Sequence, residues 1–211
     1  MRTPDPKILE EATLLLTHGG SILYGLNHAN SDEDFYRVVK DEFYWDAIGA
    51  APSGQRRRLA RQTIINGRDE MTVAFGTFAQ FAFDGAPQAL ESMFSQMATI
   101  DHLEEFRNSY YASTGPDSMR ENYRRTIHRF SYGNFKQRRH ALRLSINLNQ
   151  SQESGGKFNP TLTPKQAAFI TAAAGSSPKK FIETLESLNH FQISDEYNIA
   201  EIAQRFAEDN M

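Results

Sequence analysis

The feature that most constrains the fold of this chain is a change of hydrophobic period near Thr72. Before it, apolar residues come in short runs bounded by turn residues; after it they recur at helical spacing. Ala12-Thr13-Leu14-Leu15-Leu16-Thr17, closed by Gly19-Gly20, reads as a buried strand or as the end of a helix begun at Pro6. Phe35-Tyr36-Arg37-Val38-Val39 reads as a second strand, and Ile64-Ile65 through Val73 supplies a third. From there Phe75, Phe78, Ala79 and Ala82 follow one helical face up to Gly85, and Pro87 opens a helix carrying Leu90, Met93, Phe94 and Met97. Met119, Tyr123, Ile127 and Phe130 form the next stripe, and a helix over residues 132–148 is expected to bury Phe135, Leu142 and Ile146. After a polar loop over residues 151–159, Thr163-Pro164-Lys165-Gln166 carries an N-cap, a first-turn proline and a glutamine that closes a capping box. Ser177-Pro178 starts another helix, with Phe181, Leu185 and Leu188 inward, and Ile199, Ile202, Ala203 and Phe206 make a last stripe. This order predicts an α+β fold, a small mixed β-sheet core with a helical C-terminal lobe, divided as a core over residues 1–100 and a helical domain over residues 101–211.

Composition narrows the chemistry. The 211 residues include no cysteine, which removes disulfides, thiol nucleophiles and cysteine zinc sites together. No apolar run approaches the roughly 18 residues of a membrane helix, and the first residues lack the apolar stretch of a signal peptide. A cytoplasmic protein with no membrane partner is the expectation. Its catalytic groups would have to be oxygen, nitrogen or metal ligands. The net charge of −3 conceals an asymmetry: residues 119–143 hold eight basic side chains against Glu121 alone. A compact basic segment in an acidic chain suits an anionic partner such as a triphosphate or nucleic acid, or else forms a solvated helix face.

The stretch richest in chemistry runs from Gly20-Ser21 through Tyr24-Gly25 to Ser31-Asp32-Glu33-Asp34. Asp32 and Asp34 are two apart at the start of a strand, so their carboxylates project from one face. Side by side they repel unless a cation lies between them, and hard oxygen ligands suit Mg²⁺ or Mn²⁺. Gly20-Ser21, after a strand, can offer backbone N–H groups and a hydroxyl to a phosphate. A calcium loop is excluded, because Phe35-Tyr36-Arg37 stand where further oxygen ligands and a glycine would be required.

Gly-Ser, Tyr-Gly and Ser-Asp-x-Asp at this spacing resemble the DNA-polymerase-beta-like nucleotidyltransferase superfamily. The likeness is to the branch of predicted, often phage-encoded, nucleotidyltransferases related to the RNA repair pathway polymerase family. It continues in Asp69, in Ala86-Pro87-Gln88-Ala89-Leu90-Glu91 with Pro87 18 residues after Asp69, and in Lys136 ahead of Ala141-Leu142-Arg143, so that it spans residues 14–148. Ala86 stands where that branch has Asn, and Glu70 beside Asp69 is a second candidate for the third carboxylate. The resemblance implies transfer of a nucleoside monophosphate from an NTP to a hydroxyl with release of pyrophosphate. It implies Asp32, Asp34 and Asp69 as catalytic residues and ligands of Mg²⁺ or Mn²⁺, and Gly20, Ser21 and Lys136 as nucleotide contacts, with Arg138, Arg139 and His140 as lesser candidates beside Lys136. The basic segment and the RNA-repair likeness point to an RNA end as acceptor, with Arg124, Arg125, Arg129, Arg138 and Arg139 guiding its phosphates. Transfer to a protein side chain, as in toxin–antitoxin modification, and a non-catalytic nucleic-acid-binding module stand as alternatives. Tyr24 and Tyr36 read as core residues or base-stacking surfaces, and Glu91 as an acid favoured by its nearness to a helix start.

Overall fold

A computed structural model describes residues 5–29, 31–50, 59–65, 68–113 and 115–189, and its architecture is the expected α+β one. Helix α1 (Pro6–Ala12), capped by the Asp5 side chain, runs directly into strand β1 (Thr13–His18), so both readings of the run after Pro6 are realised in succession. A short turn of helix, α2 (Gly20–Leu23), follows, then β2 (Asp34–Val39), a 3₁₀ turn (Asp41–Phe43) and α3 (Tyr44–Ala47). The stretch expected as one strand is two, β3 (Ala60–Ile65) and β4 (Arg68–Ala74), paired antiparallel. The reason is visible in the sequence between them, because Asn-Gly is the strongest two-residue hairpin signal. After α4 (Phe75–Phe83) and α5 (Pro87–Met93), a fifth strand, β5 (Ala98–Asp101), and helix α6 (Glu104–Tyr111) arise where no element was expected. The lobe is completed by α7 (Gly115–Ser131), α8 (Phe135–Ser154), α9 (Pro164–Ala174) and α10 (Pro178–Asn189).

The strands lie in the order β3-β4-β2-β1-β5, with β2 and β4 parallel and the other pairs antiparallel. Strand alternation divides the sheet into two faces. One presents Leu15, Tyr36, Val38 and Val73 to a core shared with Phe78, Leu90, Tyr123, Ile127, Leu142 and Phe181, so sheet and helices bury a single continuous cluster. Full burial of each such side chain contributes about 1.5–3 kcal/mol. The opposite face places Val39, Ile65 and Ala74 against Leu9, Tyr44 and Ile48 of α1, α3 and the residue after α3. Arg37, Glu70, Thr72 and Thr13 are buried on that second face as well.

The helical pattern holds with three corrections. Helix α5 stops at Met93, so Phe94 caps it and Met97 lies beyond it, in the turn before β5. Met119, Tyr123 and Ile127 are fully buried on α7, as their spacing predicts. Helix α8 begins at Phe135 and ends at Ser154, later at both ends than expected, because Asn134 and Gln137 form a capping box and Gly155 takes the left-handed conformation that stops it. Phe135 therefore occupies the first helical position and is 44% exposed, while Leu142 and Ile146 are buried as expected. Phe83, the last residue of α4, is half-exposed for the same positional reason. The capping box at Thr163 and Gln166 forms as read. The stripe at Ile199, Ile202, Ala203 and Phe206 lies outside the described residues. Among the described residues no helix is long and apolar enough to cross a membrane.

The start of α8 gives a stability test. Asn134→Ala removes the side chain that accepts from the Gln137 N–H and should lower unfolding free energy by about 1 kcal/mol in a urea titration.

Candidate active site

The parallel pairing of β2 with β4 sets Asp34 opposite Asp69. Residues paired across neighbouring strands project from the same face about 5 Å apart. Asp32 stands two residues ahead of Asp34, in the turn entering β2. The three acids therefore meet at one end of two central strands. Burial, then the charges of Asp69 and Asp32, hold the Asp34 carboxyl above its ordinary range, and Lys136 opposes that shift from α8.

Glycine at position 20 follows from this geometry. Its φ is +53°, and a Cβ there would collide with the Asp34 carboxylate. The Gly19 N–H donates to the Asp34 carbonyl at 2.7 Å, which ties the turn to the start of β2. Gly20, Ser21, Asp32, Asp34 and Asp69 line one side of a cleft of about 980 Å³, while Arg129, Lys136, Arg139 and His140 line the other. Acids on the sheet thus face cations on the helices. Asp32, Asp34, Asp69, Gly20, Ser21 and Lys136 therefore all line one cleft.

Glu70, the alternative to Asp69, is occupied elsewhere. Alternation turns it to the opposite face, where Arg37 Nε and Nη2 donate to its two carboxylate oxygens at 2.6 and 3.0 Å. Thr72 donates to the same carboxylate at 3.1 Å, and Arg37 also reaches Thr13 Oγ1 at 2.7 Å. Asp69 is exposed to the cleft and Glu70 is 4% exposed.

Two other residues, Glu91 and Arg138, differ from their sequence reading. Glu91 is not a surface acid near a helix start: it is buried in α5, where Arg143 donates to it, Tyr24 Oη donates at 3.0 Å and Asn147 Nδ2 at 3.2 Å. Arg143 also stacks 3.6 Å from the Tyr24 ring centre. The only local hint was the Ala-Leu-Arg triplet, whose arginine falls on the inner face of α8. Arg138 does not face a bound strand: it is buried, and its Nη1 donates to the carbonyls of Ala174 and Ser176 at 3.0 and 2.9 Å. Tyr24 and Tyr36 are both buried, and burial pushes both hydroxyls well above the ordinary tyrosine range.

His140 is offered by the sequence only as a weaker triphosphate contact than Lys136, beside Arg138 and Arg139. It lines the cleft one turn after Lys136, and its Nδ1 lies 3.2 Å from Arg143 Nη2. Burial, then Arg143, Lys136 and Arg139, push its pKa down to about 4.

The donor set suits a hard divalent cation. Among the described residues no three His, Asp or Glu side chains close into a complete ligand cluster. Mg²⁺ does not need one, because it keeps several waters and binds through one or two carboxylates together with substrate phosphates. The Asp34–Asp69 pair, with Asp32 beside it, has that open character; burial first and then the two neighbouring acids raise the Asp34 pKa, and a cation would relieve the second of these.

Two measurements check this division of roles. Asp69→Asn removes a like charge facing Asp34 and should leave stability unchanged or slightly raised. Glu70→Ala strands a buried guanidinium and should cost about 3–5 kcal/mol in urea unfolding. Acid should also destabilise the fold through His140. Its folded pKa of about 4 lies below the unfolded value of about 6.5, so the unfolded state binds the proton first. Stability should fall as pH drops between those values, and His140→Phe should flatten that part of the wild-type curve.

No protein-family model matches the chain, and no curated protein matches it.

Proposed function

We propose that this chain is a metal-dependent nucleotidyltransferase. It would move a nucleoside monophosphate from an NTP to a hydroxyl group, with an RNA end as acceptor and pyrophosphate as the other product. The observation that carries the proposal is the register pairing of Asp34 with Asp69 on one wall of a cleft whose other wall carries Lys136. Paired carboxylates facing a cation are what a polyphosphate with bound divalent metal requires. The likeness of the Gly-Ser and Asp-x-Asp stretch to polymerase-beta-like nucleotidyltransferases supports the same reading.

In this reading Asp32, Asp34 and Asp69 hold Mg²⁺ or Mn²⁺, which supplies Lewis acidity at the phosphoryl oxygens. Gly20 and Ser21 contact the triphosphate beside Asp34, whose carboxylate takes the space a Cβ at Gly20 would fill. Lys136 balances charge on the departing pyrophosphate. Asp69, open to the cleft, takes the proton of the acceptor hydroxyl. The acceptor oxygen bonds to the α-phosphorus as the bond from that phosphorus to the bridging β-phosphate oxygen breaks.

An RNA end is favoured by α7, where Arg124, Arg125 and Arg129 are exposed and Arg129 reaches the cleft wall. Phosphate contacts of this kind position a strand without reading its sequence. The test incubates the protein with Mg²⁺ or Mn²⁺ and each α-labelled NTP, separately with RNA, DNA and protein. Label should enter RNA with release of pyrophosphate, and Asp69→Asn should slow it by about 10²–10⁴-fold. Equal labelling by wild type and an Asp32→Ala/Asp34→Ala variant discards the transfer chemistry. Label in a protein band alone moves the acceptor to a protein side chain. Salt-sensitive RNA binding without nucleotide binding leaves a nucleic-acid-binding module.

A further inference from the structure

His140 is held in the cleft by Arg143, Tyr24 and Phe130. Arg143 Nη2 stands 3.2 Å from its Nδ1. An arginine has donors only, so Nδ1 must present its lone pair, and the ring proton then resides on Nε2. Arg143 is itself fixed, because it pairs with buried Glu91 and stacks on Tyr24. The Tyr24 ring meets the imidazole edge-on at 6.3 Å, and the Phe130 ring lies 5.9 Å away on another side. Nε2 has no hydrogen-bond partner among the described residues and is not sealed from the cleft that His140 lines. A ring with its tautomer fixed and one donor open to a cleft is built to contact something.

We propose that His140 contacts the nucleotide in this cleft, its Nε2–H donating to an uncharged oxygen or nitrogen of the nucleoside part, with Arg143 and Glu91 as positioning residues that fix its tautomer. This rests on the nucleotidyltransferase reading above. Three observations choose the nucleoside over the phosphates. Lys136 and Arg139 on the same wall already supply full positive charges for phosphate, whereas His140 stays neutral with its pKa near 4. His140 also follows Lys136 by one helical turn, about 5.4 Å along α8. Phe130 beside it offers an apolar surface to a sugar or base.

The groups facing His140 are Lys136, Arg139 and Arg143 on α8, Tyr24 after α2 and Phe130 on α7, with Glu91 of α5 behind Arg143. The test measures binding of α,β-methylene analogues of ATP, GTP, CTP and UTP with Mg²⁺, and of inorganic tripolyphosphate with Mg²⁺, by calorimetry. His140→Phe keeps the ring and removes the donor, while His140→Gln keeps an N–H near the Nε2 position. The expected result is that His140→Phe weakens the best analogue about tenfold, the scale of one hydrogen bond. Tripolyphosphate binding should be unchanged, and His140→Gln should restore most of the analogue affinity. Nitrogen-15 spectra of the wild-type imidazole should show Nε2 protonated, with its resonance moving when the analogue binds and not when tripolyphosphate binds. That readout needs no variant to fold.

Equal analogue affinity in wild type and His140→Phe overturns the inference alone. So does an equal loss of tripolyphosphate binding, a proton on Nδ1, or an Nε2 resonance that ignores the analogue. A wild-type protein that binds no analogue overturns the inference and the nucleotidyltransferase reading together.

Discussion

Everything at this site depends on holding two carboxylates side by side on adjacent parallel strands. Asp34 and Asp69 repel, and burial together with that repulsion raises the Asp34 pKa. The adjoining residues oppose that repulsion. One residue after Asp69, on the other face of the sheet, Glu70 accepts two hydrogen bonds from Arg37 of β2 and so clamps the same two strands together. A bidentate guanidinium–carboxylate pair is among the stronger charge-assisted contacts a protein makes. The like-charge pair on the cleft face and the opposite-charge pair on the covered face are therefore parts of one arrangement. Strand alternation is what allows neighbours in sequence, Asp69 and Glu70, to do opposite things.

The second dependence is the join between sheet and helical lobe. Tyr24 follows α2, Glu91 lies on α5, and Arg143 and Asn147 lie on α8, yet their polar groups meet in one buried cluster. A buried ion pair of this kind gives little net stability over apolar packing, but losing one partner costs several kcal/mol. Its value here is positional. It fixes α8 relative to the turn that carries Gly20 and Ser21, and α8 is the element that brings Lys136 and His140 to the cleft.

Local signals made the acids legible, while contacts distant in sequence decided most of what was not. Asp32 and Asp34 could be read because a two-residue spacing at a strand entry determines a face. Their meeting with Asp69 could not be read from spacing, because parallel pairing of β2 and β4 joins strands that are not consecutive; family resemblance supplied it. Glu91 was misread because its nearest sequence feature is Pro87, whereas its partners Arg143 and Asn147 lie 52 and 56 residues away. The strand Ala98–Asp101 has four residues and only partial burial, too little for a period-2 pattern to emerge. Phe135 moved to the surface because a cap at Asn134 started α8 three residues later than the apolar pattern suggested.

The basic segment shows how formal charge overstates a binding surface. Of its eight cations, Arg143 pairs with Glu91 and Arg138 closes the end of α9 through the Ala174 and Ser176 carbonyls. Arg120 and Arg125 lie within ion-pair distance of Asp117 and Glu121 on their own helix, in exposed pairs worth little. Lys136, Arg139 and Arg129 are the members that line the cleft. The local excess of positive charge is thus divided between assembling the lobe and facing the acids. Where Lys136 and Arg139 stand beside His140, they also suppress its protonation. With burial and Arg143 as the larger causes, the cations beside it therefore help to keep one neutral donor among them, and in the reading proposed above charged and uncharged parts of one ligand would be told apart by position along α8.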